Sequence, residues 1–102
     1  MKTSRRKSRT PALRLGGDLN IYTVATVQQQ LLKALNGGEP IDLDLGEVSE
    51  FDSAGVQQLL VLKRECDALG RGLRITAISD SVREVFTLLN LNELFAVPAN
   101  AT

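Results

Sequence analysis

Histidine and tryptophan are absent from the 102-residue sequence, and cysteine and tyrosine occur once each. With no histidine and only Cys66, the usual zinc sites, an internal disulfide and a serine–histidine hydrolase are excluded. No run of about 18 uncharged apolar residues occurs, so no membrane insertion is expected. The N-terminal segment has charges but not the apolar region a secretory signal carries after them. A cytoplasmic protein is the expectation. Charge of one sign is not in excess either: 12 basic and 12 acidic residues cancel. No overall field therefore steers the chain to nucleic acid or an anionic membrane.

The cancellation hides an asymmetry. Residues 1–11 hold Lys2, Arg5, Arg6, Lys7 and Arg9 with no acid, which leaves the rest of the chain at a formal −5. No aromatic residue is interleaved among these bases to stack on nucleotides, so the segment reads as a solvated, disordered leader. The 43% hydrophobic content of the whole suits one small globular domain with a single core, expected over residues 12–98 with 99–102 as a tail.

What is present is strongly periodic. Leu13 and Leu15 flank Arg14, and Gly16-Gly17 then predicts a tight turn into Asp18–Ile21, two short strands read as a hairpin. Val24, Val27, Leu31 and Leu35 recur at helical spacing between Thr23, a candidate N-cap, and Gly37-Gly38. Ile41, Leu43 and Leu45 alternate with Asp42 and Asp44, the period of a half-buried strand. Leu59, Leu62, Cys66 and Leu69 form the stripe of a helix over 54–69, ended by Gly70 and Gly72. Leu73 to Thr76 alternates again. Val82, Val85, Phe86 and Leu89 share a further helical face, with Ser81 and Glu84 spaced as a capping box. A last strand is predicted at Leu94–Val97, before Pro98.

Alternating strands and helices predict an α/β fold with a mostly parallel sheet of four to five strands. A parallel sheet covered on both faces has continuously apolar strands. Here Arg14, Asp42, Asp44, Arg74 and Thr76 interrupt them, so the helices are expected on one face only, and opposite charges on neighbouring strands can pair on the other.

The segment that calls for a chemical reading is "EVSEFDSAGVQQLL", residues 47–60, where Asp52 and Ser53 precede a helix. A nucleophilic role for Ser53 needs a base within about 3 Å. Lys63, the nearest substitute for histidine, lies about 15 Å along the same helix at about 1.5 Å per residue. Glu47, Glu50 and Asp52 lack the spacing of a hard-cation loop, and Glu47 and Glu50 read as solvated loop residues. No phosphate-binding glycine loop is present. Neither catalytic residues, a metal nor a cofactor is therefore expected. Two roles stay open for Ser53: a helix N-cap, and a phosphate acceptor beside the positive end of a helix.

The stretch "LDLGEVSEFDSAGVQQLL", preceded by "GGDLNIYTV" and followed by "LRITAISDSVREVFTLLNLNELF", resembles the STAS domain family of bacterial anti-sigma factor antagonists and their relatives. The likeness runs from about residue 12 to 97, and the Asp-Ser-x-Gly turn is its most specific part. It implies a small STAS-like α/β domain that regulates transcription through protein–protein interaction. It further implies that Ser53 accepts phosphate from a partner anti-sigma factor with serine kinase activity and loses it to a cognate phosphatase. Unphosphorylated members bind the kinase and free a sigma factor. The implied docking surface is Asp52, Ser53, Gly55, Val56 and the loop from Asn20 to Thr23. Ala54 stands where many members have a second serine, and Asn20 where an acid is frequent. The same family serves chemotaxis-type signalling clusters and, as an alternative here, the accessory subunit of lipid-transport ABC complexes, which docks on the ATP-binding subunit.

Overall fold

The computed structural model describes residues 13–97. The leader over 1–11, Pro98 and the tail over 99–102 lie outside the described residues. The elements are β1 (Leu13–Arg14), β2 (Gly17–Leu19), α1 (Val24–Asn36), β3 (Ile41–Leu45), β4 (Val48–Phe51), α2 (Ser53–Ala68), β5 (Leu73–Ile78) and α3 (Asp80–Leu88). The fold is mixed α/β, with five strands in two small sheets of order β1-β3-β5 and β2-β4, every pairing parallel.

The alternation in β3 does what its period requires. Ile41, Leu43 and Leu45 are buried, while Asp42 and Asp44 turn to the other face. There Arg14 Nε donates to Asp44 at 3.4 Å, and Arg74 binds Asp42 through Nε at 3.2 Å and Nη2 at 3.0 Å. The wet face is thus a set of cross-strand ion pairs, as alternating charge on neighbouring strands predicts. On the opposite face α3 packs against β4 and β5, α2 packs against β4, and α1 packs against α2. Cys66 is fully buried with Leu59 and Leu62, whereas Leu69, read as part of the same stripe, follows the end of α2 and is exposed; burial raises the Cys66 thiol pKa above the ordinary value.

Four expectations are corrected. The two short N-terminal strands do not form a hairpin: β1 pairs with β3 and β2 with β4. Gly17 has φ +72°, but the left-handed residue steps the chain sideways instead of reversing it. Leu15 N–H donates to the Asp44 carbonyl at 3.1 Å and Gly17 N–H to the Glu47 carbonyl at 3.1 Å, continuing one ladder into the next. β1–β2 and β3–β4 are therefore two bent strands, each passing from one sheet to the other. Glu50 lies on β4, not in a loop, while Glu47 sits in the turn before it.

Residues 92–96 are turns, not a strand. Phe95 N–H donates to the Leu91 carbonyl at 3.1 Å, which rolls Phe95 back onto the core. Lastly, α3 is capped by Ser79, whose hydroxyl accepts from Val82 N–H at 3.3 Å. Ser81 instead donates to the Ser49 carbonyl at 3.0 Å and fastens α3 to β4.

Candidate functional site

The second sheet ends where the chemistry is expected. β2 and β4 run side by side with Leu19 opposite Phe51, so both strands deliver their following turns to the same edge. Asp52 N–H donates to the Leu19 carbonyl at 3.3 Å and closes the ladder. The chain then enters α2.

Asp52, not Ser53, is the N-cap. Its backbone is extended, and its Oδ1 accepts from Ala54 N–H at 2.9 Å and Gly55 N–H at 3.4 Å. Ser53 is the first helical residue, is exposed, and its hydroxyl makes no hydrogen bond among the described residues. The cap also settles an electrostatic point. Free N–H groups at a helix N-terminus can hold a phosphate, but the aspartate already occupies two of them. A phosphate on Ser53 would face outward beside a carboxylate.

Beneath the turn the packing is tight. A Cβ on Gly55 would lie 2.8 Å from the Leu19 carbonyl oxygen and 2.8 Å from the Phe51 ring. Glycine is required here so that α2 can approach the strands. Phe51 meets Phe86 at 6.0 Å between centroids, and Phe86 stacks on Phe95 at 5.4 Å. All three phenylalanines of the chain thus form one row under the site. Gly55 and Val56 are both buried. They hold α2 against the sheet, and burial leaves Val56 little side-chain area at the surface.

Across the edge, Asn20 organises the turn that follows β2. Its backbone N–H donates to Thr23 Oγ1 at 3.1 Å, its Oδ1 accepts from Tyr22 N–H at 2.9 Å, and its Nδ2 donates to Glu50 Oε1 at 2.6 Å. Thr23 occupies the position before α1, yet its hydroxyl caps nothing. It turns back to donate to the Asp18 carbonyl at 2.8 Å. Asn20 is buried, and between Asn20 and Thr23 the turn pushes Ile21 and Tyr22 into solvent, 66% and 91% exposed. Ile21 therefore belongs to no strand, contrary to the expectation from sequence.

The structure thus brings Asp52 and Ser53 to the same edge as Asn20 and Thr23. Within that loop it exposes Ile21 and Tyr22, and it places Glu50 on the adjoining strand. For Tyr22 a signal existed, since it is the sole tyrosine in a chain with 4% aromatics, but nothing in the sequence shows that it points outward. The electrostatics are one-signed: Asp18, Glu50 and Asp52 are exposed, and no base occurs in 17–24 or 48–56. Lys63, the remote candidate base, pairs with Asp67 at 3.0 Å. No cluster of three metal-ligating side chains exists among the described residues, and no helix there is long and apolar enough to cross a membrane.

A family model described as "Mlab, STAS domain" matches residues 3–97. The anti-sigma-B factor antagonist of Staphylococcus epidermidis is 24% identical over 86 residues, 83% of this chain and 80% of that protein, and the same figures recur in two of its strains. Among solved structures, the Bacillus cell fate determinant SpoIIAA in its phosphorylated form superposes with a TM-score of 0.61 at 27% identity, covering 78% of this chain and 74% of that one.

Proposed function

The chain belongs to the STAS domain family and is an anti-sigma factor antagonist-like module, and from that premise we propose that it is a phosphorylation-switched binding protein for an anti-sigma factor with serine kinase activity. The observation that carries this reading is the exposed, unbonded hydroxyl of Ser53 on the first turn of α2, next to a carboxylate that already caps the helix. The similarity to a protein solved in its phosphorylated form supports it.

The geometry supports both halves of the switch. Since Asp52 has taken Ala54 N–H and Gly55 N–H, a phosphate gains little from the helix and disturbs little of the fold. It adds about −1.5 to −2 charges at pH 7 to an edge that already carries Asp18, Glu50 and Asp52. Binding responds, and folding does not. The phosphoryl transfer itself belongs to the partner: Ser53 attacks the γ-phosphorus of ATP held by the kinase, ADP leaves, and the hydroxyl proton passes to a base of the kinase. A phosphatase of the same system would restore the hydroxyl by hydrolysis.

Incubation with the cognate kinase and ATP, followed by peptide mass spectrometry, tests the reading. Phosphate on Ser53 and loss of kinase binding on its acquisition are expected. An unmodified Ser53, with recovery of an ABC-type ATP-binding subunit from which Ser53→Ala does not detach the chain, would instead assign it to the accessory-subunit role.

A further inference from the structure

We infer that the outer groove between α1 and α2 is a self-association surface, where a second copy of this chain packs face to face about a two-fold axis that crosses both helices at Leu32 and Val61. The inference does not depend on the proposed function, because it concerns a face of the domain away from the Ser53 turn.

The groove follows from the topology. Every strand pairing is parallel, so α1 and α2 each return from a strand end to the next strand start, and they lie side by side in the same direction. Their inner stripes, Val27 to Leu35 and Val56 to Cys66, are buried. On the outside, Leu32 and Val61 stand 50% and 40% exposed in one hollow with Gln28, Gln58 and Glu65. No described element covers them.

Charge selects the occupant. Outside residues 1–11 the chain has a formal charge of −5, which keeps copies apart wherever acids face each other. The groove is the exception. α1 has one charge in thirteen residues, Lys33, and that side chain lines a different hollow with Leu13 and Pro40. An oppositely charged partner would find almost nothing to recognise here, whereas the centres of protein interfaces are depleted of charge in the same way.

A two-fold contact further requires a patch complementary to itself, with residue i meeting j and j meeting i. The spacing meets that demand. On α1, Gln28 and Asn36 stand four residues before and four after Leu32; on α2, Gln58 and Glu65 stand three before and four after Val61. With the helices of the second copy reversed, Leu32 and Val61 each pack against their own counterparts, Gln28 faces Asn36, and the Gln58 amide donates to Glu65. Amides donate and accept while a carboxylate only accepts, so both kinds of pair are satisfied. The two Glu65 carboxylates lie about 12 Å apart along the helices at about 1.5 Å per residue. Ser53, eight residues before Val61, is also about 12 Å along α2 from the axis, so each copy keeps its Ser53 turn open.

Leu88 provides the control. It is 80% exposed on α3, but it sits with Asp80, Arg83 and Glu84, a charged setting without this symmetry.

The test is sedimentation of the full chain from about ten micromolar to about one millimolar, the range in which a small interface associates. The mass should rise from one copy to two. Val61→Glu sets two carboxylates against each other on the axis and should weaken association at least about tenfold, as should Val61→Lys. An equimolar mixture of these two variants should regain the dimer, because opposite charges then meet. Circular dichroism and thermal melts check that both are folded. Val61→Cys should cross-link to its own copy under a mild thiol oxidant, since Cys66 is buried out of reach, while Leu88→Cys should not. A single-copy mass throughout, undiminished association of Val61→Glu, or a mixture that stays monomeric would each overturn the two-fold contact. So would a monomeric chain whose Val61→Glu variant loses an ATP-binding partner, which would give the groove to that partner.

Discussion

Asn20 Nδ2 donates to Glu50 Oε1 across 2.6 Å, joining the turn after β2 to the last full strand before the Ser53 turn. One amide thereby sets the position of Ile21 and Tyr22 relative to Asp52 and Ser53. A carboxylate in place of Asn20 would face the carboxylate of Glu50.

Asn20→Asp should therefore lower stability at pH 7 by about 1 kcal/mol, through like-charge repulsion at a partly exposed site. Repulsion raises the pKa of one carboxylate in the folded state, so the loss is present above the carboxylate range and relieved as the pH falls through it. Urea midpoints at neutral and acid pH check this, and Asn20→Asp with Glu50→Gln should recover the loss at pH 7. An equal deficit at both pH values would mean that the hydrogen bond, not the charge, mattered.

Capping is assigned to Asp52, so Asp52→Ala should cost about 1 kcal/mol, whereas Ser53→Ala should stay within about 0.5 kcal/mol of the unsubstituted chain. Thermal unfolding of the two variants side by side decides it. The reverse order would make Ser53 the cap.

For binding, the expectation separates from stability. Ser53→Asp places a charge on the docking edge that the kinase must desolvate, and should weaken kinase binding by about fivefold, the equivalent of about 1 kcal/mol. Ser53→Ala should bind the kinase constitutively. Surface plasmon resonance with ATP present shows the difference, since only the unsubstituted chain should lose affinity with time.

Gly55→Ala should destabilise by about 1–3 kcal/mol even though alanine favours helix by about 1 kcal/mol. Its methyl group would stand 2.8 Å from the Leu19 carbonyl, which is backbone, and from the Phe51 ring. A neutral or raised urea midpoint would show that α2 can move away from the sheet.

Stability should also fall in alkali. Burial raises the pKa of Cys66 in the folded chain, so its contribution is complete below the unfolded thiol pKa of about 8.5 and is lost as the pH rises through the folded value. The slope from this one group is at most about 1.4 kcal/mol per pH unit. Cys66→Ala, less stable at neutral pH because of the cavity it leaves, should lack that slope when unfolding is followed from pH 7 to 10.

The three helices, the strands β3 and β5, the polar face of the sheet and the buried Cys66 were legible in the sequence. Each depends on a repeat of side chains along one element, and a repeat is a local property of the chain. The Asp-Ser-x-Gly turn was legible for the same reason, because residue types at fixed short spacing mark the start of α2. What sequence could not supply were the features that depend on which distant segment arrives alongside. β4 shows no alternation, since in Val48–Phe51 only the two end residues are buried, and its strand partner among the described residues is β2. The glycine pair at 16 and 17 has the composition of a hairpin turn, and only pairing with β3 and β4 makes it a step between sheets. Whether Asp52 or Ser53 caps α2 depends on the extended backbone that the ladder to Leu19 imposes on Asp52. Ile21 read as the end of a strand, and nothing in the sequence shows how far it and Tyr22 stand out. They stand in solvent because Asn20 and Thr23 bind backbone and side-chain groups of β2 and β4, and only the packed strands bring those groups within reach.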